Sequence, residues 1–287
     1  MKKVLSMILA LSMCVTSFVA CGNDEEKSGE DTPAVKVVEI ALTEEEYAFG
    51  VAKDDPELLA AVNDFIAEIK EDGTFDEILD KYFGDGTPEA VVPVAEDSSK
   101  DQLVVVTNAE FAPFEYMEGD KYYGVDMEIA AALAESLGKE LVIKNVDFES
   151  VCSNIDAGYG DIAMAGLTIN EERTAFVTFS DSYYGASQYV VVKGDDKAFD
   201  DCKTADEVIT ILNKMKESDY IGVQTGTTGQ LFVDGDADWG FDGLTPTSKG
   251  YGSGALAVQD MLNGGVKYVI IDAAPAICIA EAINKVN

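Results

Sequence analysis

Histidine is absent from the 287-residue chain, and arginine occurs only once, as Arg173. Without an imidazole the chain cannot form a Ser-His-Asp or Cys-His catalytic site. Cysteine is also scarce: after the first 21 residues only Cys152, Cys202 and Cys278 are left, at spacings that fit no metal site. The sequence therefore predicts neither a metal nor a cofactor. It predicts buried cysteine side chains, with one disulfide as the alternative.

Basic residues are few relative to acidic ones, 20 against 54, which gives a formal net charge of −34. A surface with this much negative charge repels the phosphates of nucleic acids and of anionic membranes, and it favours solubility. The composition therefore excludes a nucleic-acid partner.

Long apolar runs are confined to the beginning of the chain. Two lysines precede a 17-residue uncharged stretch over residues 4–20, at the short limit for a membrane-spanning helix. We interpret residues 1–20 as a signal peptide, with a plain membrane anchor as the alternative. The stretch "FVAC" resembles a bacterial lipobox, in which Cys21 would carry the lipid. Residues 21–34 are polar and predict a disordered tether, so the body is expected outside the cell membrane, attached through the lipid anchor only.

Residues 35–84 predict a compact module of two strands and two helices. "VKVVEI" and "YAFGVA" are strand-like, and Asp55 followed by proline predicts an N-cap and a first helical turn. Gly73 ends the first helix, and Thr74 with Glu77 has the spacing of a capping box for the second. Since the module is too small to bury its own apolar helix face, it must pack on downstream elements.

Beyond a polar stretch at 85–100, which predicts a linker, strands and helices alternate. Apolar strands such as "LVVVT", "YVVVK", "YIGVQ" and "KYVII" are separated by segments with helical spacing. This alternation predicts α/β sheets of mostly parallel strands, and its two groups predict two lobes. Ligands of such sheets bind beyond the carboxyl ends of the strands.

Arg173 lies just beyond one such strand, in the segment "DIAMAGLTINEERT". A guanidinium presents a flat fork of donors that grips a carboxylate through two bonds, which an ammonium cannot do. Gly166 allows close backbone approach there, and Thr168 adds a hydroxyl and an N–H group. This combination predicts a carboxylate site. The alternative is a surface arginine paired with Glu171 or Glu172.

Asp272 closes the strand "KYVII", where it is either a helix N-cap or a carboxylate that faces a ligand ammonium. Together with Arg173 it would recognise the two charged ends of an α-amino acid. The Gly/Thr loop "GVQTGTTGQ" at 222–230 suits an anion through its N–H groups, but it lacks the lysine of a nucleotide-binding loop.

Four stretches resemble the extracellular solute-binding proteins of polar amino-acid ABC transporters: "VVVTNAEFAPFEYMEGDKYYGVDMEIAAALAESLG", "AGLTINEERTAFVTFSDSYY", "GVQTGTTGQ" and "VIIDAAP". The resemblance covers residues 101–287. It implies an α/β, two-lobed fold like that of type 2 periplasmic binding proteins, with helices on two mostly parallel sheets and a two-strand hinge. It also implies that a lipid-anchored monomer captures a polar amino acid by hinge closure and delivers it to an ABC transporter permease.

The resemblance also implies a ligand site, whose members are Gly166, Thr168, Arg173, Thr228, Asp272, Phe111, Phe148, Asn108 and Gln224. The arginine, the Thr168 hydroxyl and a backbone N–H of Thr228 would hold the carboxylate. The carbonyl of Gly166 and the Asp272 carboxylate would hold the ammonium. The two phenylalanines would sandwich the side chain, with plain core packing as the alternative.

Asn108 and Gln224 match the positions that read the far end of the ligand. They favour an uncharged, glutamine-like side chain, although Glu110 nearby could accept a cation. Two other functions stay open: an enzyme similar to the cyclohexadienyl dehydratases, which would use Glu110 or Glu115, and a ligand-sensing domain. The intact amino-acid pocket disfavours the enzyme, so no catalytic residue is expected.

The order of the segments is unusual for the family. Its members commonly finish with a strand, a hinge strand and two helices ending in a "KYFG"-like stretch, which here resembles residues 35–84, in front. The sequence therefore predicts a circular permutation with the linker at 85–100. Lobe 1 would comprise residues 47–187, including hinge strands near 47–51 and 186–190. Lobe 2 would be split between 35–46 and 188–287.

Overall fold

The structure, a computed structural model, describes residues 32–286. The predicted signal peptide, Cys21 and most of the predicted tether lie outside the described residues, so those predictions stay predictions. Across residues 32–286, no helix has both the length and the hydropathy that crossing a membrane requires. Cys152, Cys202 and Cys278 are free thiols, and the alternative of a disulfide among them is not realised.

Helices and strands alternate through most of the described part of the chain. The helices are α1 (Pro56–Asp72), α2 (Thr74–Phe83), α3 (Val125–Ser136), α4 (Val151–Asp156), α5 (Glu171–Thr174), α6 (Ala205–Leu212), α7 (Thr228–Asp234), α8 (Gly254–Asn263) and α9 (Ala273–Val286). The strands are β1 (Val35–Val38), β2 (Glu45–Tyr47), β3 (Gly50–Ala52), β4 (Gln102–Thr107), β5 (Glu110–Phe111), β6 (Glu115–Glu118), β7 (Lys121–Tyr123), β8 (Glu140–Asn145), β9 (Ile162–Ala163), β10 (Val177–Phe179), β11 (Tyr184–Ala186), β12 (Gln188–Lys193), β13 (Tyr220–Gln224), β14 (Thr247–Tyr251) and β15 (Tyr268–Asp272). A 3₁₀ turn, Phe148–Ser150, precedes α4.

Two five-stranded sheets carry the fold. Sheet 1 has the order β10-β3-β9-β4-β8, and sheet 2 has the order β1-β12-β15-β13-β14. A two-stranded antiparallel ladder of β2 and β11 lies between them in sequence, with Tyr47 opposite Tyr184. Strands β5, β6 and β7 form a small separate sheet. The α/β class predicted from the sequence is confirmed, since both five-stranded sheets are built from strands that alternate with helices along the chain.

The prediction of mostly parallel sheets is correct for only half of the strand pairs. In sheet 1, β4 is parallel to β8 and β9, but β3 is antiparallel to β9 and β10. In sheet 2, β13 is parallel to β14 and β15, but β12 is antiparallel to β1 and β15. Within these two sheets every antiparallel pair contains β3 or β12, the strands that directly follow the ladder strands β2 and β11. Because β3 and β12 enter their sheets directly from the ladder, their direction is opposite to that of the parallel strands of the βα units.

Helices cover both faces of sheet 2. Successive side chains of a strand point to opposite faces of the sheet, so neighbouring residues of β12 pack against different helices. Val191 packs with α8 and α9 in one core cluster. Its neighbours Val190 and Val192 pack with α6 and α7 in another. Burial on both faces explains why these strands are continuous apolar runs in the sequence.

The front module packs as its composition requires. The side chain of Asp55 caps α1 by accepting a hydrogen bond from the N–H of Leu58, and Gly73 ends the helix in a left-handed conformation. The capping-box prediction for α2 is wrong: the N-cap is Gly73, with no side-chain cap, and Thr74 is already helical. Gly73 is both the C-cap of α1 and the N-cap of α2, so Thr74 falls inside the second helix and cannot cap it. The apolar faces of both helices join the core around α3.

The predicted linker at 85–100 is fastened to the protein rather than loose. Val91 forms a β-bridge with Tyr122, and the N–H of Val94 donates to the carbonyl of Leu141 at 2.9 Å. An ion pair at 2.9 Å joins Glu96 to Lys144. The segment therefore passes beside β7 and the edge strand β8 on its way from α2 to β4.

Candidate functional site

The guanidinium of Arg173 bridges the loops that follow strands of the two sheets. The residue lies in α5, where Asn170 is the N-cap and accepts a hydrogen bond from the N–H of Arg173. Nη1 donates to the carbonyl of Thr168 at 2.7 Å, and Nη2 donates to the carbonyl of Gly226 at 3.1 Å. The side chain is only 8% exposed, and the alternative of a surface pair with neighbouring glutamates is not realised. Since a guanidinium has five N–H donors, three remain for a ligand.

Phe148 lies against this guanidinium. The centre of its ring is 5.1 Å from the guanidinium carbon, a cation–π distance. Phe148 begins the 3₁₀ turn before α4, so its position is set by sheet 1. The aromatic ring orients Arg173, whether or not it also contacts a ligand side chain.

Gly166 lies in a crowded turn after β9. Its φ of 53° is in the left-handed region, and a Cβ there would come within 3.0 Å of the Phe111 ring. Both features require glycine. The N–H of Gly166 donates to Oδ2 of Asp126 at 2.9 Å, and Tyr183 donates its hydroxyl to Oδ1 of the same carboxylate at 2.6 Å. Burial raises the pKa of Asp126 to about 7, although both hydrogen bonds act in the opposite direction.

Thr168 does not have a free hydroxyl. Its Oγ1 donates to Oε2 of Glu45 at 2.7 Å, while Thr43 and Gln188 donate to Oε1 of the same carboxylate at 2.6 and 2.9 Å. A hydroxyl has one proton, so this bond competes with the predicted bond from Thr168 to a ligand carboxylate. The sequence does not identify Glu45 as a site residue. It is the middle one of three consecutive glutamates in "TEEEY", and nothing in that stretch indicates that this glutamate is buried.

Asp272 is the last residue of β15 and directly precedes α9, which is the position of a helix N-cap, and its carboxylate also contacts a distant tyrosine. The hydroxyl of Tyr47 donates to its Oδ1 at 2.5 Å. Burial, followed by the charge of Glu45, raises the pKa of Asp272 to about 7, whereas the Tyr47 hydrogen bond lowers it. A side-chain hydrogen bond with Gln188 also lowers this pKa, and the residue is 5% exposed.

Asn108 and Gln224 bond to each other across the two sheets. Nε2 of Gln224, at the end of β13, donates to Oδ1 of Asn108 at 2.9 Å, and Nδ2 of Asn108 donates to the carbonyl of Val146 at 2.8 Å. The remaining oxygen of Gln224 is buried and has no hydrogen-bond partner. The pair therefore presents one unpartnered acceptor, the Gln224 oxygen, together with the second N–H of each amide, rather than the two free amides that the sequence suggested.

Further groups in this region have buried atoms without partners, among them Oε1 of Gln188. The hydroxyl of Thr228, at the start of α7, has none. Neither carboxylate oxygen of Glu115, at the start of β6, has one. Burial, followed by the charges of Asp126 and Asp272, raises the pKa of Glu115 well above its usual range. By contrast, Glu110 is exposed.

Contacts connect most of the predicted site residues. Thr168 bonds to Glu45, which bonds to Gln188, and the Cα of Gln188 lies opposite that of Asp272 in the sheet. Arg173 reaches Gly226 in the loop before Thr228. The arrangement combines one buried guanidinium with several carboxylates, so it suits a molecule that carries a carboxylate and at least one cationic group.

Known proteins that are similar to this chain include amino-acid-binding proteins. The sequence model of the bacterial extracellular solute-binding proteins, family 3, matches residues 8–85 and 103–224. The arginine-binding extracellular protein ArtP of Bacillus subtilis (strain 168) is 39% identical over 99 residues, which are 34% of this chain and 39% of that protein. Among solved structures, an ancestral arginine-binding protein bound to arginine is 30% identical, with a TM-score of 0.54; the match covers 64% of this chain and 75% of that one.

One relative is an enzyme. The cyclohexadienyl dehydratase of Pseudomonas aeruginosa is 38% identical over 82 residues, which are 28% of this chain and 31% of that enzyme. The chain thus spans less than two thirds of the length of both curated relatives, the binding protein and the dehydratase.

Proposed function

The chain belongs to the bacterial extracellular solute-binding proteins, family 3, and we propose that it binds a polar amino acid between its two sheets and delivers it to an ABC transporter permease. The observation that carries the proposal is the buried guanidinium of Arg173, which reaches carbonyl oxygens on both sides of the site and keeps donors for a ligand. The ligand's carboxylate would take those donors, and Asp272 would take its ammonium. No bond of the ligand is made or broken.

Closure of the two lobes is the proposed working motion. The bonds from Arg173 to Gly226 and from Gln224 to Asn108 each join groups that follow strands of different sheets. The short ladder of β2 and β11 is the connection about which the lobes would turn. In this proposal the domain limits are those of the sequence analysis, with lipid attachment at Cys21 and a monomeric body.

A thermal-shift screen of the purified protein against the twenty standard amino acids tests the binding function. Ligand that binds only the folded state raises the melting temperature with the logarithm of its concentration over Kd. We expect a shift with a small set of polar amino acids and none with Arg173→Ala, which leaves a ligand carboxylate unpaired. A folded protein that responds to no amino acid would rule the proposal out. Recovery of the ligand with unchanged mass after incubation separates binding from the dehydratase alternative.

We further propose that the order of the segments is circularly permuted. The side chain of Asn284, in α9, bonds to both the N–H and the carbonyl of Val35, at 3.1 and 2.8 Å, so the end of α9 lies beside the start of β1. β1 in turn pairs with β12 at the edge of sheet 2. The family match is interrupted between residues 85 and 103, which is the predicted linker. These three facts support a relocated end segment.

A further inference from the structure

The carboxylate of Glu45, in β2, is a buried junction between segments of both sheets. The residue is 5% exposed. Its Oε2 accepts a hydrogen bond from the hydroxyl of Thr168, in the loop after β9 of sheet 1, at 2.7 Å. Its Oε1 accepts from Nε2 of Gln188, the first residue of β12 of sheet 2, at 2.9 Å, and from the hydroxyl of Thr43 at 2.6 Å. Three donors thus compensate a carboxylate that would otherwise be costly to bury.

On the side of sheet 1, Glu45 acts on Arg173 through Thr168. The side chain of Thr168 bonds to Glu45, while its backbone carbonyl accepts from Nη1 of Arg173 at 2.7 Å. Thr168 also forms a backbone β-bridge with Tyr47, two residues beyond Glu45. The front module therefore holds both the backbone and the side chain of the residue to which the guanidinium bonds.

On the side of sheet 2, Glu45 acts on Asp272 through Gln188. The Cα of Gln188 lies opposite that of Asp272 where β12 pairs with β15, and the side chain of Gln188 also hydrogen-bonds to Asp272. The amide oxygen of Gln188 lies against Gly229, where an added Cβ would come within 2.9 Å of it. Because that glycine lies in the first turn of α7, the Gln188 amide links Glu45 to this helix as well as to Asp272.

We propose that Glu45 is a positioning residue of the amino-acid site, which orients Thr168 and Gln188 from the two sheets. Through these neighbours it fixes the separation between Arg173 and Asp272. The inference rests on the proposed binding function, in which these two charged groups hold the α-carboxylate and the α-ammonium of the ligand. Binding groups that their supporting bonds hold within about 0.5 Å of the required geometry need no ordering by the ligand. Since both ends are common to all α-amino acids, the role does not depend on the ligand side chain.

Glu45→Met and Glu45→Gln separate positioning from charge. Methionine fills the space but offers no oxygen to the three donors, so we expect affinity about 30-fold below that of the wild type at pH 8.5. Glutamine keeps the hydrogen bonds, because its oxygen can accept from Thr43 and Gln188 while its amide donates to Thr168. Its affinity at pH 8.5 should stay within about threefold of the wild type. Titration calorimetry measures both variants with the standard amino acid that gives the wild type its largest melting shift.

The pH dependence of binding is a readout that a purely structural role would not change. The charge of Glu45 raises the pKa of Asp272, and an ammonium needs Asp272 ionised, so binding should weaken as the pH falls. In Glu45→Gln this charge is absent, so the pKa of Asp272 falls and the weakening should begin at a lower pH than in the wild type. Tyr47, which bonds to Asp272, and Glu115, whose pKa the charge of Asp272 raises, are unchanged in this variant. Calorimetry from pH 5.5 to 8.5 measures the displacement.

Glu46→Met, at the exposed neighbouring position, is the matched control and should bind as the wild type does. Unchanged affinity in Glu45→Met, or an equal loss in Glu45→Gln, would overturn the inference while the binding function stands. A folded wild type that binds no amino acid would overturn both.

Gln188→Leu keeps the inference testable if Glu45→Met does not fold. It removes the link toward Asp272 and leaves Glu45 in place, so it should weaken binding about tenfold. Unchanged affinity in this variant would also overturn the inference.

Discussion

The hydroxyl of Tyr47 donates a 2.5 Å hydrogen bond to Oδ1 of Asp272, which lies 225 positions further along the chain. Tyr47 comes from the front module and is nearly inaccessible, while Asp272 ends a central strand of sheet 2. The bond stabilises the ionised carboxylate against the burial that disfavours it. The front module, which the family model also matches, is thus part of the candidate ammonium site.

Tyr47→Phe should weaken amino-acid binding about tenfold at pH 7, because Asp272 loses the hydrogen bond from the Tyr47 hydroxyl and its pKa rises further. The loss should shrink at higher pH, where Asp272 is ionised in the variant as well. Titration calorimetry at pH 6.5 and 8.5 checks both points. Tyr184→Phe, in the ladder beside Tyr47, is the control and should bind as the wild type does. A loss that is the same at both pH values would contradict the role assigned to the hydroxyl.

Arg173→Lys should bind amino acids about 100-fold less tightly than the wild type, although it keeps the positive charge. An ammonium cannot contact the carbonyls of Thr168 and Gly226 and a ligand carboxylate together, because it lacks the planar fork. Calorimetry measures the affinity, and circular dichroism verifies the fold. Lys139→Arg, whose ammonium pairs with Asp101 on the surface, is the control. Near-normal affinity of Arg173→Lys would show that charge alone matters.

The ligand-free protein should lose stability as the pH rises from 5 to 8. Burial raises the pKa of Asp126 and of Asp272 to about 7, against about 4 in an unfolded chain. Between these values the folded state binds more protons than the unfolded state, so the free energy of unfolding falls with increasing pH. Asp126→Asn should make this decrease in the free energy of unfolding shallower, because the titrating carboxyl is removed. The variant should still fold, since the amide oxygen can accept from the N–H of Gly166. Thermal unfolding across this pH range checks the sign, and a melting temperature that rises steadily to pH 8 would contradict it.

Restoring the family's usual segment order should preserve the fold and the binding site. A chain that begins at Asp101, runs through residue 287 and continues by a short loop into residues 35–84 should form the same sheets, because Asn284 already contacts Val35. Its ligand affinity should stay within about threefold of the original. Its melting temperature should fall by several degrees, because the bonds of Val91, Val94 and Glu96 are lost with the linker.

A second reordered chain, which keeps residues 85–100 at its front, is the control for that loss and should recover part of it. Calorimetry and thermal unfolding compare the three chains. Failure of both reordered chains to fold would count against the permutation.

The sequence determined the secondary structure and the class of fold through local signals. Alternating apolar strands and helical periodicity predicted the α/β architecture, and Asp55 and Gly73 set the limits of α1. It also singled out Arg173 as an unusual residue and Asp272 as the end of a strand. These features depend on neighbours within a few residues, so a linear pattern records them.

Only the tertiary structure decided the partners of those side chains. The sequence does not indicate that Thr168 bonds to Glu45, that Asn108 bonds to Gln224, or that Glu115 is buried without a partner. The same holds for the antiparallel strands β3 and β12, whose direction follows from the ladder. Each of these depends on contacts between segments distant in the chain. Burial and hydrogen bonding at such contacts depend on tertiary packing, which the spacing of apolar residues along the chain does not encode.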